Sequence, residues 1–400
     1  MAVRYMGTKR HMAGHVRSAI ESLEPRGCVV DLFSGMGSVA ESLQNLFPVV
    51  TNDALSFTAA ISRSRFTGAT RDEAIESVLR RLRPAYLERL TELSIRFARQ
   101  LEEEQAVLSS GREALAAYMS RARHVGNDRC IALSAKQASN EITHHRYCLA
   151  SLYFSAGYFS LAQTIEIDAL RYAIDSVDQP SENDWLLGAW LVGIASLVNA
   201  PGHTAQFLKP NTPSIYARIV RGWRRSVWTQ FESGLGALRQ IGSHSWRSQN
   251  RALVGDALDL VGSSLLNDVG AFYADPPYTK DQYSRFYHVY ETLYRYDFPD
   301  STGIGRTRSD RFSTGFSLKS SVVASFHDLC RIVARRNVPL ILSYPDQGLL
   351  DDAGWGLQDI ASAFFSDIQV ITIDAQHSTM GASKGSPQKP ATEHVYVCRP

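Results

Sequence analysis

The 400-residue chain has 42 Lys and Arg residues against 40 Asp and Glu residues, which gives a net charge of +2. With 44% hydrophobic and 20% charged residues, its composition excludes a disordered or collagen-like chain. A net charge so near zero does not by itself predict a polyanionic partner, so any contact with nucleic acid must come from local basic patches. At about 150 residues per domain, this length predicts two or three domains.

The distribution of cysteines and apolar residues indicates in which cellular compartment the protein is expected. The five cysteines are scattered singly, without the C-x-x-C spacing of a zinc site, which argues against a structural metal and a disulfide framework. The basic N-terminal segment lacks the apolar region of a signal peptide. The longest uncharged apolar run, 185–198, is too short to span a bilayer and predicts a buried helix. We therefore expect a cytoplasmic protein with no metal and no membrane segment.

The first predicted elements form one supersecondary unit. A β-branched run, 28–33, predicts a strand, and the glycine-rich turn SGMGS follows it. A predicted helix over 39–46 leads to a second strand, 48–51, which ends next to Asp53. A strand, a glycine turn, a helix and a strand with an acid at its tip are typical of the opening βαβ unit of a doubly wound sheet.

A similar pattern of short apolar runs occurs in the second half of the chain. Short apolar runs predict five further strands at 251–254, 268–274, 338–343, 367–372 and 394–398. Between the two halves the apolar period is helical, although Pro84 lies within one helical stretch and is expected to kink or split it.

These patterns predict an α/β protein whose sheet domain is discontinuous. The sheet domain comprises 1–65 and 250–400, and a large, mostly helical insertion occupies 66–249.

The glycine turn predicts a cofactor site. Gly35 and Gly37 fit the G-x-G-x-x-G/A pattern, and Asp53 is placed to accept hydrogen bonds from ribose hydroxyls. Both NAD and S-adenosylmethionine present an adenosyl ribose to such a crevice, and the turn could also bind nothing. Asp31 at the end of the first strand favours a donor that carries an ammonium and a sulfonium over a pyrophosphate.

The sharpest chemical signal is the tetrapeptide DPPY, 275–278. Two prolines cannot donate to a sheet and end the strand in a stiff, extended segment. Asp275 and a backbone carbonyl could accept the two N–H groups of a planar amine while Tyr278 stacks on its ring. Such restraint would aim the amine nitrogen at an electrophilic methyl group, so that transfer depends mainly on positioning. The alternative is a simple strand-ending turn.

In this order, RYMGTKR, DLFSGMGS and FYADPPY resemble the Dam-like, α-group family of DNA adenine-N6 methyltransferases. The resemblance implies the Rossmann-like sheet of class I methyltransferases, S-adenosylmethionine as cofactor, a target-recognition region within the insertion, and a flipped adenine as substrate. It also implies the site residues. Those near the cofactor would be Tyr5, Gly7, Lys9, Asp31, Phe33, Gly35, Gly37, Asp53 and Asp256, and those that hold the base would be Asp275, Pro276, Pro277 and Tyr278.

A basic segment precedes the second half of the sheet domain. Between 209 and 251 there are eight basic residues and one acid, interleaved with aromatic residues, which favours contact with double-stranded DNA over a merely solvated helix face. The residues predicted to contact DNA from this segment are Arg221, Arg224, Arg225 and Arg247. Beyond the tetrapeptide, Tyr283 and Arg285 could cover the flipped base or pack against the sheet.

The sequence thus predicts an adenine-specific DNA methyltransferase that acts at a short target sequence, with a restriction endonuclease or another defence component as a further possible partner. Two alternatives stay open. One is a methyltransferase that acts on an amine of RNA or protein, and the other is an NAD-dependent oxidoreductase, which would leave the tetrapeptide without a role. A DNA-binding module without catalytic activity would likewise make no use of the tetrapeptide.

Overall fold

The computed structural model describes residues 9–121, 147–177, 180–280, 282–376 and 390–400. These residues group into two compact units. The sheet unit comprises 9–70, Gln240–Ser284 and Phe312–Pro400, and the helical unit comprises Arg71–Arg239 and Arg285–Arg311. The segment Arg285–Arg311, which the sequence assigned to the sheet domain, therefore groups with the helices.

The sheet unit is built on one mostly parallel sheet of seven strands. The strands are β1 (Cys28–Asp31), β2 (Val49–Asp53), β3 (Arg251–Val254), β4 (Val269–Ala274), β5 (Leu340–Pro345), β6 (Asp367–Gln376) and β7 (Pro390–Arg399). Their order is β3-β2-β1-β4-β5-β7-β6, and β7 is antiparallel to both of its neighbours. All seven predicted strands are present, with ends shifted by a few residues. This mixed α/β architecture is compatible with a methyltransferase fold.

The inner strands β1, β2, β4 and β5 bury their apolar residues on both faces of the sheet. On β1, Val29 packs into a core on one face with Val49, Ala271 and Val397. Val30 packs into the core on the opposite face. Helices cover each face, so the strand ends, where polar residues follow, are the part of the sheet left to bind a ligand.

The helices are numbered in chain order. The ninth is the one that contains the apolar run. The first nine are α1 (Ala13–Glu21), α2 (Ser38–Ser42), α3 (Ser56–Phe66), α4 (Ile75–Arg96), α5 (Ala98–Ser109), α6 (Arg112–Arg121), α7 (Leu149–Phe154), α8 (Leu161–Asp175) and α9 (Pro180–Leu197). The others are α10 (Pro213–Trp223), α11 (Val227–Ala237), α12 (His244–Arg247), α13 (Ala257–Gly262), α14 (Tyr283–Phe286), α15 (His288–Arg295), α16 (Val322–Arg335), α17 (Leu349–Asp352) and α18 (Leu357–Ser362).

Pro84 does not split its helix, which was one of the two outcomes expected there. Helix α4 continues through Pro84 for 22 residues, although a proline removes one backbone hydrogen bond. Val78, Leu82 and Tyr86 lie on one buried stripe of α4, and this helix packs against α8. Burial of that stripe outweighs the lost hydrogen bond.

The apolar run is a core helix, as predicted. It lies in α9, where Trp190 is completely buried and Leu186 is 1% exposed. Among the helices that the structure describes, none has both the length and the apolar character required to cross a bilayer.

Candidate functional site

A cavity of about 920 Å³, including its open mouth, lies within the sheet unit. It opens at the carboxyl ends of β1 and β4, the two adjacent strands from which the chain order runs outward in both directions. Ligands of doubly wound sheets bind at this switch point. The cavity is lined by the turn after β1, the residues after β2, β3 and β4, the segment 282–284 at the start of α14, and Phe312 with Thr314.

Four carboxylates line this cavity because each follows a parallel strand. Asp31 and Asp53 are the last residues of β1 and β2. Asp275 comes directly after β4, Asp256 is separated from the end of β3 by Gly255, and all four belong to the lining. The carboxyl ends of parallel strands meet at one edge of a sheet, so residues more than 200 positions apart in sequence converge on one site.

The glycine turn is held by the acid that was predicted for ribose. Asp53 Oδ2 accepts a hydrogen bond from the Gly35 amide at 3.0 Å, and Oδ1 accepts one from Leu55 at 2.9 Å. Gly37 has φ +74°, and a Cβ there would lie 2.3 Å from the Phe66 ring. Gly35 lines the cavity, whereas Gly37 shapes the turn without forming part of the lining.

Asp31 is the most deeply buried acid of the site. Its side chain is 2% exposed, and Oδ1 has no hydrogen-bond partner among the described residues. Burial, followed by the nearby charges of Asp275 and Asp53, raises the pKa of Asp31 well above its ordinary value. An unpartnered buried carboxyl oxygen next to two further acids favours a cationic ligand.

The cation of the site is Lys9. Its Nζ lies 3.2 Å from Asp275 Oδ1 and 2.7 Å from Glu393 Oε2. Burial would lower the pKa of Lys9, but Asp275 and Glu393 outweigh burial and raise it. The sequence missed Glu393. The available signal was an acid at an inward position of β7, where Val395 and Val397 are fully buried.

The tetrapeptide lies at the end of β4. Burial raises the pKa of Asp275 to about 6, with Lys9 acting to lower it and Glu393 to raise it. Asp275 and Pro277 line the cavity, whereas Pro276 and Tyr278 do not belong to the lining. Tyr278 packs partly buried against the core, and Lys9 Nζ lies 5.6 Å from the centre of its ring.

The predicted cofactor residues Phe33 and Asp256 both line the cavity. Phe33 packs edge to face on Phe316 at 5.3 Å between ring centres. Asp256 caps α13 by accepting hydrogen bonds from the amides of Leu258 and Asp259. Tyr5 and Gly7 lie outside the described residues.

Two segments, 282–284 and 312–314, contact each other at the rim of the cavity. Ser284 Oγ donates to the Phe312 carbonyl at 2.6 Å, and the Thr314 amide donates to Gln282 Oε1 at 3.2 Å. Tyr283 lines the cavity between these contacts, as one of its two predicted roles requires. Phe312 and Thr314 were not among the site residues predicted from the sequence.

Three of the predicted DNA-contacting arginines are exposed in the helical unit. Arg221 is near the end of α10, Arg224 follows it, and Arg225 is exposed but donates to the Ser196 carbonyl at 2.6 Å. Arg285 is also exposed and groups with this unit.

Arg247 differs from the other arginines. It lies in the sheet unit and is only 4% exposed. Its guanidinium donates to the carbonyls of Gly68 and Gly242 and to Thr70 Oγ1. These contacts argue against the predicted phosphate contact, because the donors of Arg247 are already used to hold the sheet unit together.

Comparison with known proteins gives one family match and several relatives. Residues 245–333 match the model of the D12 class N6 adenine-specific DNA methyltransferases. The chain is 25% identical over 399 residues to Modification methylase LlaI of Lactococcus lactis subsp. lactis, an alignment covering 97% of this chain and 53% of the relative. It is 29% identical over 210 residues to Type II methyltransferase M.NlaIII of Neisseria lactamica, covering 52% of this chain and 57% of the relative.

A third relative is Type II methyltransferase M.FokI of Planomicrobium okeanokoites, 23% identical over 354 residues, with 87% of this chain and 45% of the relative covered. The chain thus spans about half the length of these curated relatives. The segment matched by the family model contains the tetrapeptide 275–278, and the comparisons confirm the predicted resemblance.

Proposed function

We propose that this chain, a relative of the Dam-like adenine-N6 DNA methyltransferases, transfers a methyl group from S-adenosylmethionine to N6 of an adenine in duplex DNA. One observation carries the proposal. The glycine turn, four strand-end carboxylates and Pro277 of the tetrapeptide line a single cavity of the sheet unit. This lining supports a donor site and an amine-binding site that would share one space, as group transfer between two bound molecules requires.

The residues of the cavity fit this donor. Asp31, Asp53 and Asp256 line a cavity in which Lys9 is the cation among the described lining residues. Such a surplus of acids suits a ligand with an ammonium and a sulfonium, and it would repel the pyrophosphate of NAD. Asp53 would hold the ribose, Asp256 and Phe33 the adenine, and Asp31 the cationic end. When bound, the cofactor supplies an electrophilic methyl group.

Asp275 would hold the acceptor amine. With a pKa of about 6, its carboxyl group is mostly ionised at neutral pH and accepts a hydrogen bond from the N6 amine. The rigid Pro276-Pro277 backbone offers a carbonyl to the second N–H. After taking the methyl group that a bound donor would supply, the nitrogen would lose a proton to Asp275 or water. Positioning supplies most of the rate, so an additional base is unnecessary.

DNA is the proposed polymer, held in part by exposed arginines of the helical unit. Arg221 and Arg224 are exposed, and guanidinium groups suit phosphate contacts and base readout. The relatives are named as modification and type II methyltransferases, which supports methylation at a short specific sequence in a restriction–modification setting. The helical unit would supply target recognition, and the base would reach the cavity by flipping out of the duplex.

The direct test is incubation with methyl-labelled S-adenosylmethionine and a mixed-sequence duplex, followed by nucleoside analysis. We expect N6-methyl-2′-deoxyadenosine from DNA, no product from the same sequence as RNA, and no product with Asp275→Ala. Donor binding by Asp275→Ala, measured by calorimetry, should remain close to wild type, because this change removes an acceptor of the amine.

Asp351→Asn is the matched control, because Asp351 is an exposed acid of the same unit and its loss should leave turnover unchanged. Label recovered in cytosine, RNA or protein would overturn the choice of acceptor. Turnover retained by Asp275→Ala would overturn the role given to the tetrapeptide.

A further inference from the structure

The pair formed by Lys9 and Glu393 is buried beside the proposed amine site. Each of the two residues is 5% exposed. The Lys9 ammonium forms ion pairs with the carboxylates of both Glu393 and Asp275. Glu393 lies on β7, opposite Pro345 on β5 and Ile373 on β6. The backbone of the sheet therefore fixes where this carboxylate stands.

Lys9 is buried and forms ion pairs with two carboxylates, and the second of these, Glu393, needs an explanation. Lys9 and Asp275 alone would already form a neutral pair, and burying another carboxylate carries a desolvation penalty that its attraction to the lysine must offset. The contact from Lys9 to Glu393 is the shorter of the two, 2.7 Å against 3.2 Å. Glu393 thus draws the ammonium away from a full ion pair with Asp275.

We propose that Glu393 is a positioning residue, an inference that rests on the proposed function. It anchors the Lys9 ammonium beside Oδ1 of Asp275, so that the carboxylate stays available to the amine of the target base. Among the described residues, the polar contact made by the Asp275 carboxylate is the one from Lys9. Without Glu393, Lys9 would pair fully with Asp275 and compete with the amine for the same acceptor.

The charges around Asp275 make the two substitutions distinguishable. Lys9 lowers the pKa of Asp275, whereas Glu393 raises it. Asp31 and the buried hydroxyl of Tyr273 also face this acid, as does Tyr278. Removing Glu393 strengthens the hold of Lys9, so the pKa of Asp275 should fall. Removing the charge of Lys9 should raise it.

The experiment compares Glu393→Gln with Lys9→Met in the full chain. For Glu393→Gln we expect kcat to fall by about 10- to 100-fold and the acid limb of the pH–rate profile to move down by on the order of one pH unit. For Lys9→Met we expect that limb to move up. Calorimetric affinity of Glu393→Gln for S-adenosylmethionine should stay near wild type.

A readout independent of turnover is the ¹³C resonance of the Asp275 carboxyl carbon, assigned by its loss in Asp275→Asn. Its titration midpoint should shift in the same opposite directions in the two variants. His394→Gln is the control, because His394 is the next residue of β7 and contacts Asp346 and Thr372 instead. It should keep the wild-type rate and profile.

The possible results separate the two proposals. No methyl transfer to any DNA by the wild-type chain overturns the proposed function, while the carbon titration still tests the charge arrangement. An active wild-type chain with an unchanged rate and profile in Glu393→Gln overturns the inference. Shifts of the same sign in both variants also overturn it, since they would reflect a general loss of structure. A thermal melt of each variant identifies chains that do not fold.

Discussion

The buried carboxylate of Asp275 should reduce the stability of the protein without ligands, although the proposed methyl transfer requires its charge. Burial raises the pKa of Asp275 from an ordinary 3.8 to about 6. A raised pKa means that the folded protein disfavours the charged form. The contribution of Asp275 to stability is therefore fully present below about pH 4 and is lost as the pH rises through 6. At neutral pH the loss is about 3 kcal/mol, at 1.36 kcal/mol for each unit between the two pKa values.

The perturbation is Asp275→Asn, since an amide resembles the protonated acid in size and lacks its charge. At pH 7.5, without cofactor or DNA, the variant should be more stable than wild type by up to about 3 kcal/mol. For a unit of roughly 200 residues this corresponds to a rise of about 6–12 °C in the melting temperature. Methyl transfer should be lost in the same variant, because the amide cannot offer an anionic acceptor.

Scanning calorimetry of both proteins between pH 4.5 and 8 measures the effect. The difference in melting temperature should be largest above pH 6 and should shrink towards zero at the acidic end. Asp351→Asn should give no such pattern, because Asp351 is exposed. A difference that is independent of pH, or a variant that melts below wild type at pH 7.5, would refute the reasoning.

Three further substitutions test other parts of the site. Gly37→Ala should destabilise the sheet unit by about 3 kcal/mol or more, because φ is +74° and the new Cβ would clash with the Phe66 ring. The same change should weaken donor binding measured by calorimetry. Gly14→Ala is its control, because nothing lies within 4 Å of a Cβ at that position. Arg221→Ala combined with Arg224→Ala should reduce the slope of log K against log salt by about 2 in DNA-binding titrations, and an unchanged slope would remove both from the phosphate contacts. Tyr283→Ala should raise KM for duplex DNA by about tenfold, whereas Tyr283→Phe should stay near wild type if ring stacking is its role.

The sheet and most of the site were predictable because their signals are local. Short apolar runs predicted all seven strands, and an acid at the end of a parallel strand must lie at the carboxyl edge of the sheet. The glycine turn and Asp275 were found by this reasoning, and Lys9 by the family resemblance. Glu393 was not, because the residue that gives it a role lies 384 positions away.

The misjudged positions have the same physical origin. Nothing near Arg247 in the sequence indicates that its guanidinium is occupied by backbone carbonyls of 68 and 242. The continuity of α4 at Pro84 depends on packing against α8, which a local rule about proline does not include. Tertiary contacts decided each case, and composition alone carries no information about them.

The charge of the cavity constrains how DNA could be handled. With Asp31, Asp53 and Asp275 on its wall and Lys9 as the described cation, the cavity repels phosphate and accepts cations and neutral rings. A nucleotide could then enter by its base alone, while its phosphates stay with cations outside the cavity. Such a division would keep the acidic cavity compatible with a polyanionic substrate.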